Sequence, residues 1–393
     1  MIHINEGYLF VTPAFFFTKI GEELAAFEKR HPDKRLLHLG VGDVTKPLAP
    51  VVIEAMHRAV SEQGDAASFH GYLPETGTDF LKEAIVAYYA RRNVTLSMDE
   101  VFISSGAADD LGAVLHLFSP KNRVLLIEPA YPAYADANQM DGRKLIRLPG
   151  TPGNGFLPLP SPDLQAELVY LCSPNNPTGA AYTRGQLQQW VDWAKERQAL
   201  LLFDVAYEAF IADADVPHSI LELPGAETCA IEISSLSKTA GFTGMRLGYT
   251  VVPKNLCVNG VSLNDLWRRD RCTRTNGVSY ILQRAGQAAL SKEGQRQNRV
   301  NIDCYRENGR ILFDALCSKG LWFTGGRNAP YLWLKCPDGM SGWAFFSRLL
   351  EQAQIVGTPG EGFGPSGAGY LRLSCFASRT DTEEAARRLM KVL

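Results

Sequence analysis

Leu168-Val169-Tyr170-Leu171-Cys172-Ser173-Pro174-Asn175-Asn176-Pro177-Thr178-Gly179, followed by Arg184–Arg197 and then Leu200-Leu201-Leu202-Phe203-Asp204, reads as strand, loop, helix and strand. Both apolar runs are continuous rather than alternating, as strands buried on both faces of a mostly parallel sheet must be. Between them, Leu187, Trp190, Val191 and Ala194 recur at steps of three and four residues, which puts them on one face of a helix. The same pattern extends outward through the short apolar runs Val101–Ile103, Val124–Ile127, Ala230–Ile233 and Gly248–Val252. Alternation of this kind predicts an α/β fold, a large domain whose mostly parallel sheet is sandwiched by helices. The notable polar residues lie just beyond the C-terminal ends of the strands, where open α/β sheets bind ligands.

The last third reads differently. A helical stretch over Val278–Tyr305 leads into short strands at Tyr331–Lys335 and Tyr370–Ser374, separated by helices near Ser341–Gln352 and Thr382–Val392. That is the pattern of a smaller α+β domain. The expected division is residues 1–44 as an N-terminal segment joining the small domain, 45–285 as the large domain, and 286–393 as the small C-terminal domain. A chain of 393 residues, 46% hydrophobic and 21% charged, is long enough for two cores of this kind.

Composition excludes several classes of function. A formal net charge of -2 with interspersed signs offers no basic stripe for nucleic acid. No apolar run approaches the ~20 residues of a membrane span, and the start lacks the blocks of a secretory signal. The eight cysteines form no C-x-x-C pair and the seven histidines no H-E-x-x-H pattern, so no metal site is indicated and reduced thiols in a cytoplasm are expected.

Strand ends carry the chemistry. After Ala230–Ile233 comes Ser234-Ser235-Leu236-Ser237-Lys238, with Arg246 eight residues beyond the lysine. Taken alone, a lysine there is a solvated surface charge. Bracketed by the hydroxyls of Ser235 and Ser237 and a guanidinium, the cluster suits a phosphate, with the lysine free to form an imine. Asp204 closes the next strand, with Tyr207 three residues on. It reads either as an N-cap or as the carboxylate that pairs with the protonated ring nitrogen of pyridoxal, Tyr207 reaching the phenolic oxygen at the other ring edge. Ser173–Gly179 reads as a plain tight turn or as a rigid loop presenting Asn176 to that same oxygen. Ser104-Ser105-Gly106-Ala107-Ala108-Asp109 opens a helix whose small residues let backbone N–H groups approach a phosphate. Tyr131, after the strand Val124–Ile127, is placed to stack on the ring. Finally Arg372 sits among apolar residues in Tyr370–Ser374, where a charge is costly unless paired; a bidentate grip on a substrate carboxylate would pair it.

These residues resemble the fold-type I aminotransferases along the whole chain, through S-x-S-K, the following arginine, N-N-P-T-G, D-x-x-Y and the late arginine. Further stretches look like LL-diaminopimelate aminotransferase: Gly7-Tyr8-Leu9-Phe10, Gly42-Asp43-Val44-Thr45, Gly71-Tyr72-Leu73-Pro74-Glu75-Thr76-Gly77, Thr275-Asn276-Gly277 and Asn328-Ala329-Pro330-Tyr331-Leu332-Trp333. The resemblance implies pyridoxal 5′-phosphate as cofactor on Lys238, and transfer of an amino group from LL-diaminopimelate to 2-oxoglutarate in lysine and peptidoglycan precursor synthesis. It also implies a homodimer with shared active sites. By matched motif, Tyr72 would reach the partner's cofactor phosphate, Glu75 and Asn276 the partner's substrate, while Tyr8 and Gly42 with Val41 would line the substrate pocket. Two positions depart from the pattern: Ala108 stands where the family usually has a lysine, and Lys46 where it often has an acidic or neutral residue.

Competing readings fall at particular residues. A dinucleotide dehydrogenase needs G-x-G-x-x-G, and Gly40-Val41-Gly42-Asp43-Val44-Thr45 lacks the third glycine. A non-enzymatic binding module is disfavoured by the intact lysine, aspartate and late arginine. Within the enzymes, aminotransferases for aspartate, aromatic or other amino acids, and relatives performing β-elimination or decarboxylation, share the same machinery.

Overall fold

The computed structural model describes residues 2–11 and 16–393; residues 1 and 12–15 of the expected N-terminal segment lie outside the described residues. Its largest element is a seven-stranded sheet. In spatial order the strands are Val101–Ser104, Gly248–Val251, Ala230–Ser235, Leu200–Asp204, Leu168–Cys172, Val124–Glu128 and Leu145–Pro149. Gly248–Val251 is antiparallel to both neighbours and every other pairing is parallel. Successive residues of one strand feed opposite faces: Leu168, Tyr170 and Cys172 enter one apolar cluster, Val169 and Leu171 another with Trp190. That two-sided burial is why these strands read as continuous apolar runs.

One strand of the large sheet escaped the sequence reading. Leu145–Pro149 sits at the sheet edge and its side chains are only half-buried, so it carries Arg147 and ends in proline like a loop. The helix Arg184–Arg197 has the expected bounds, with Thr183 capping it by accepting from the Gln186 N–H. Strands also run further than their apolar runs suggest. Asp204 and Ser235 are the last residues of their strands, and the parallel register sets Cys172 beside Asp204.

A second sheet, antiparallel throughout, runs in the order Phe323–Gly325, Tyr331–Lys335, Tyr370–Ser374 and Thr358–Pro359. Early residues pack beside it: Leu37–His38 forms a separate parallel pair with Ile355–Val356, and Ile20 and Phe27 share a core with Leu332, Phe345, Leu371 and Leu389. The helical stretch expected over Val278–Tyr305 is two helices, Tyr280–Leu290 and Lys292–Ser318. Ser291 separates them in extended conformation, its hydroxyl accepting from the Gly294 N–H to start the second. Among the described residues no helix is long and apolar enough to cross a membrane.

Candidate active site

The strand ends of the large sheet and the arginine strand of the small one converge on a cleft of about 390 Å³. Lys238 lies on the single helical turn Leu236–Thr239, which Ser235 caps by accepting from the Ser237 N–H at 3.1 Å. Its ammonium donates to the carbonyl of Gly42 and stands 5.5 Å from the Phe376 ring. Burial depresses the Lys238 amine to about 8; the Asp43 carboxylate opposes that shift, and Arg372 and Arg246 add to it. Little free energy then separates its charged and neutral forms at working pH, as nucleophilic and proton-moving amines require.

Beside it lies a cradle for an anion. Arg246, itself at φ +61°, places Nη1 3.3 Å from Ser237 Oγ and has no carboxylate partner among the described residues. Its Nη2 would lie 2.7 Å from a Cβ at Gly106, where φ is +126°, so only glycine fits there. Ala107 and Ala108 continue from Gly106 into the cleft wall. Hydroxyls, a free guanidinium and closely approaching backbone form a donor set that fits a phosphate.

Asp204 is buried, and its hydrogen-bond partners among the described residues are neutral. Tyr134 donates its hydroxyl to Oδ2 at 2.5 Å, and the Ala206 N–H reaches Oδ1 at 2.9 Å. Burial pushes its carboxyl up, with the Tyr134 bond pulling the other way. A buried carboxylate with no cation beside it is incomplete by itself, which fits a ligand that brings a protonated ring nitrogen. Tyr207 meets Tyr331 hydroxyl to hydroxyl at 2.9 Å, and Tyr131 lines the same cleft.

Arg372 is 2% exposed and likewise has no carboxylate partner among the described residues. Its Nη1 donates to Asn176 Oδ1 and its Nη2 to the Gly40 carbonyl, both at 2.6 Å. Nε has no partner, and the guanidinium lies over Tyr331 and Phe363, 4.5 and 4.9 Å from the ring centres. The uncompensated charge suits an anionic group entering the cleft. Gly42 lines the wall; a Cβ there would be 2.2 Å from the Tyr331 hydroxyl.

Four expected site residues lie outside this cleft. Tyr72 is 91% exposed and Tyr8 60% exposed. The 3-10 turn Glu6–Leu9, capped by Asn5, packs through Gly7 against the Met140 carbonyl at the end of helix Pro132–Met140, and so leaves Tyr8 at the surface. Glu75 and Asn276 are distant from Lys238 in sequence but adjacent to each other: Gly277 approaches Pro74 and Glu75, and Cys272 Sγ is 3.9 Å from Glu75 Oε2. Lys46 also lies outside, lining a small neighbouring pocket with Asn298, Asn301 and Tyr305. Sequence reading missed Tyr134, Phe17 and the role of Tyr331, which line the cleft. Tyr134 follows Tyr131 by one helical turn, a spacing that could have pointed to it.

A model of the family described as "Aminotransferase class I and II" matches residues 34–389. The chain belongs to that family. This aminotransferase is 46% identical over 402 residues to the LL-diaminopimelate aminotransferase of Lachnospira eligens, covering 99% of both chains. It is 47% identical over 409 residues to that of Parabacteroides distasonis, with full coverage of each. Among solved structures it is similar to L,L-diaminopimelate aminotransferase from Chlamydomonas reinhardtii, with a TM-score of 0.94, 37% identity, and 99% and 98% of the two chains covered. The aminotransferase fold and the resemblance read from the sequence therefore hold over the full length.

Proposed function

We propose that this enzyme transfers an amino group from LL-diaminopimelate to 2-oxoglutarate, using pyridoxal 5′-phosphate, in lysine and peptidoglycan precursor synthesis. The observation that carries the reaction class is one cleft holding a half-buried amine, a buried carboxylate and a buried guanidinium, the last two without an opposite charge among the described residues. When bound, the cofactor supplies an electron sink conjugated to the substrate α-carbon. Lys238 is the residue that would carry it. Ser235, Ser237, Arg246 and the backbone of Ala107 and Ala108 would hold its phosphate, Asp204 its ring nitrogen, Asn176 and Tyr207 its phenolic oxygen, and Tyr131 its ring face.

Arg372 orients the α-carboxylate of either substrate, which sets the breaking C–H bond for removal. Lys238 Nζ is the group that would take the proton from the substrate α-carbon. The substrate assignment rests on the names of the full-length relatives. For the rest of the site we propose a homodimer in the cytoplasm, in which Tyr72, Glu75 and Asn276 complete the partner's cleft, Glu75 meeting the distal ammonium. The mutually adjacent placement of the half-buried Glu75 and the exposed Asn276, both outside the cleft of their own chain, supports this. We retain the division into residues 1–44, 45–285 and 286–393. It is supported by the helix Lys292–Ser318, whose Tyr305 packs near Tyr207 and whose Leu312 and Leu316 enter the small-domain core.

The test is a substrate panel with 2-oxoglutarate as acceptor: LL-diaminopimelate, meso-diaminopimelate, aspartate and an aromatic amino acid. Preferred turnover of LL-diaminopimelate is expected. Preference for aspartate or an aromatic amino acid would overturn the substrate and leave the reaction class, and would trace to the cation missing at Ala108.

A further inference from the structure

The proposed reading of Asp204 leaves open what keeps that carboxylate usable. Nothing charged does so among the described residues, since Asp204 enters no ion pair. The groups packed around it are Tyr131 and Tyr134 at the start of helix Pro132–Met140, and Cys172 from the adjacent strand. The cleft's cations are Lys238, Arg246 and Arg372. Burial and the Asp204 charge hold the Tyr134 phenol well above its ordinary value, and burial does the same to Tyr131 and Cys172. Tyr134 is therefore a hydrogen-bond donor at every working pH, and among the side-chain bonds it is the one Asp204 Oδ2 receives, at 2.5 Å.

Tyr134 is also held as a positioned group should be. Its ring stacks on Tyr170 at 4.9 Å and 22°, and meets Tyr131 edge-on at 5.7 Å. The Asn138 amide donates to its carbonyl at 2.8 Å. The ring has no freedom to swing its hydroxyl elsewhere, and the tyrosine is 3% exposed, so water does not substitute for it.

We infer that Tyr134 is a positioning residue for Asp204: its hydroxyl orients the carboxylate toward the cofactor ring and keeps it ionised, so that cofactor affinity depends on a group that does not touch the reacting atoms. A hydrogen bond from a neutral donor stabilises the charged form of a buried carboxylate. Without it, burial acts unopposed except by the Ala206 N–H, and Asp204 holds its proton to higher pH. A protonated Asp204 cannot pair with a protonated ring nitrogen. The loss should therefore be greatest in acidic and neutral solution and fade as alkali removes the proton.

The experiment titrates cofactor-free enzyme with pyridoxal 5′-phosphate, following absorbance, from mildly acid to alkaline buffer. The proteins compared are wild type, Tyr134→Phe, Tyr170→Phe and Asp204→Asn. Tyr134→Phe keeps the stacked ring and should raise the cofactor Kd about 10-fold near neutral pH, the order of one lost hydrogen bond to a charged group. The gap should close to within about 2-fold near pH 9. Lys238 titrates in all four proteins, so its contribution cancels in the ratios. Tyr170→Phe removes the other hydroxyl of the stacked pair and should match wild type. Adding Tyr134→Phe to Asp204→Asn should change nothing further. A pH-independent loss, or a loss that persists undiminished in the Asp204→Asn background, would show that Tyr134 only packs. If Tyr134→Phe does not fold, 3-fluorotyrosine at 134, a stronger donor of nearly equal size, must tighten binding near neutral pH or the inference fails. Unchanged cofactor binding in Asp204→Asn would instead sink the proposed role of Asp204 itself.

Discussion

Replacing Arg372 with lysine tests the cleft at the point where its charge is least compensated. The guanidinium spends Nη1 on Asn176 and Nη2 on Gly40, and no carboxylate among the described residues neutralises it. A substrate α-carboxylate would take a two-pronged grip. Lysine keeps the charge but offers a point donor in place of a planar fork. One of two charge-assisted bonds is then lost, about 1.5–3 kcal/mol, which is roughly a 10- to 150-fold fall in kcat/KM. The same change leaves Asn176 Oδ1 without its buried donor, costing about 1–3 kcal/mol of stability, while the Gly40 carbonyl keeps its bond from the Thr358 hydroxyl. Both substrates carry an α-carboxylate, so the two half-reactions, measured separately by single-turnover absorbance changes, should fall by similar factors. A loss confined to one half-reaction, or kcat/KM within about 3-fold of wild type, would refute the carboxylate role. In that case Arg372 would serve only to tie Asn176 and Gly40 together.

Three further outcomes follow from the geometry. Gly42→Ala drives a Cβ to within 2.2 Å of the Tyr331 hydroxyl; we expect about 1–3 kcal/mol of destabilisation by thermal melting, partly relieved by adding Tyr331→Phe, and an unrelieved loss would place the strain elsewhere. Because burial depresses Lys238 to about 8, the unfolded chain binds this proton more tightly. Its contribution to cofactor-free stability is thus unfavourable below that pH and recovers as pH rises toward the ordinary lysine value. Lys238→Met should accordingly stabilise the cofactor-free protein in neutral buffer and progressively less in alkali; equal effects at both ends would contradict the burial argument. Mixing inactive Lys238→Ala with inactive Glu75→Ala protein should restore part of the activity through one intact hybrid site; no recovery despite measured subunit exchange would argue against sharing.

Much of the site was legible because its residues mark strand ends. Lys238, Asp204 and Asn176 each close or follow an apolar run, and a sheet with parallel strands brings such ends to one edge whatever lies between them; Arg246 was read from its spacing to Lys238. Arg372 announced itself as a charge inside an apolar strand. Less legible were contributions whose meaning is purely a matter of neighbours. Tyr134 looks like any helix tyrosine until the register of Cys172 with Asp204 shows what its hydroxyl meets. Tyr331 sat in a quoted motif without a role because its partners, Tyr207 and Gly42, are remote in sequence. Leu145–Pro149 went unread because an edge strand need not be apolar on both faces.

By itself, then, the sequence determined the α/β class, the strand-end chemistry and the lysine at its centre, since hydrophobic periodicity and residue type are local properties that survive without knowledge of contacts. Only the tertiary structure decided that the Arg372 and Asp204 charges are buried without opposite charges, and that the Lys238 amine faces Gly42. It also left Tyr8 and Tyr72 on the surface, away from the cleft of their own chain. Charge compensation, burial and reach depend on which distant segments share a volume, and no local pattern encodes that.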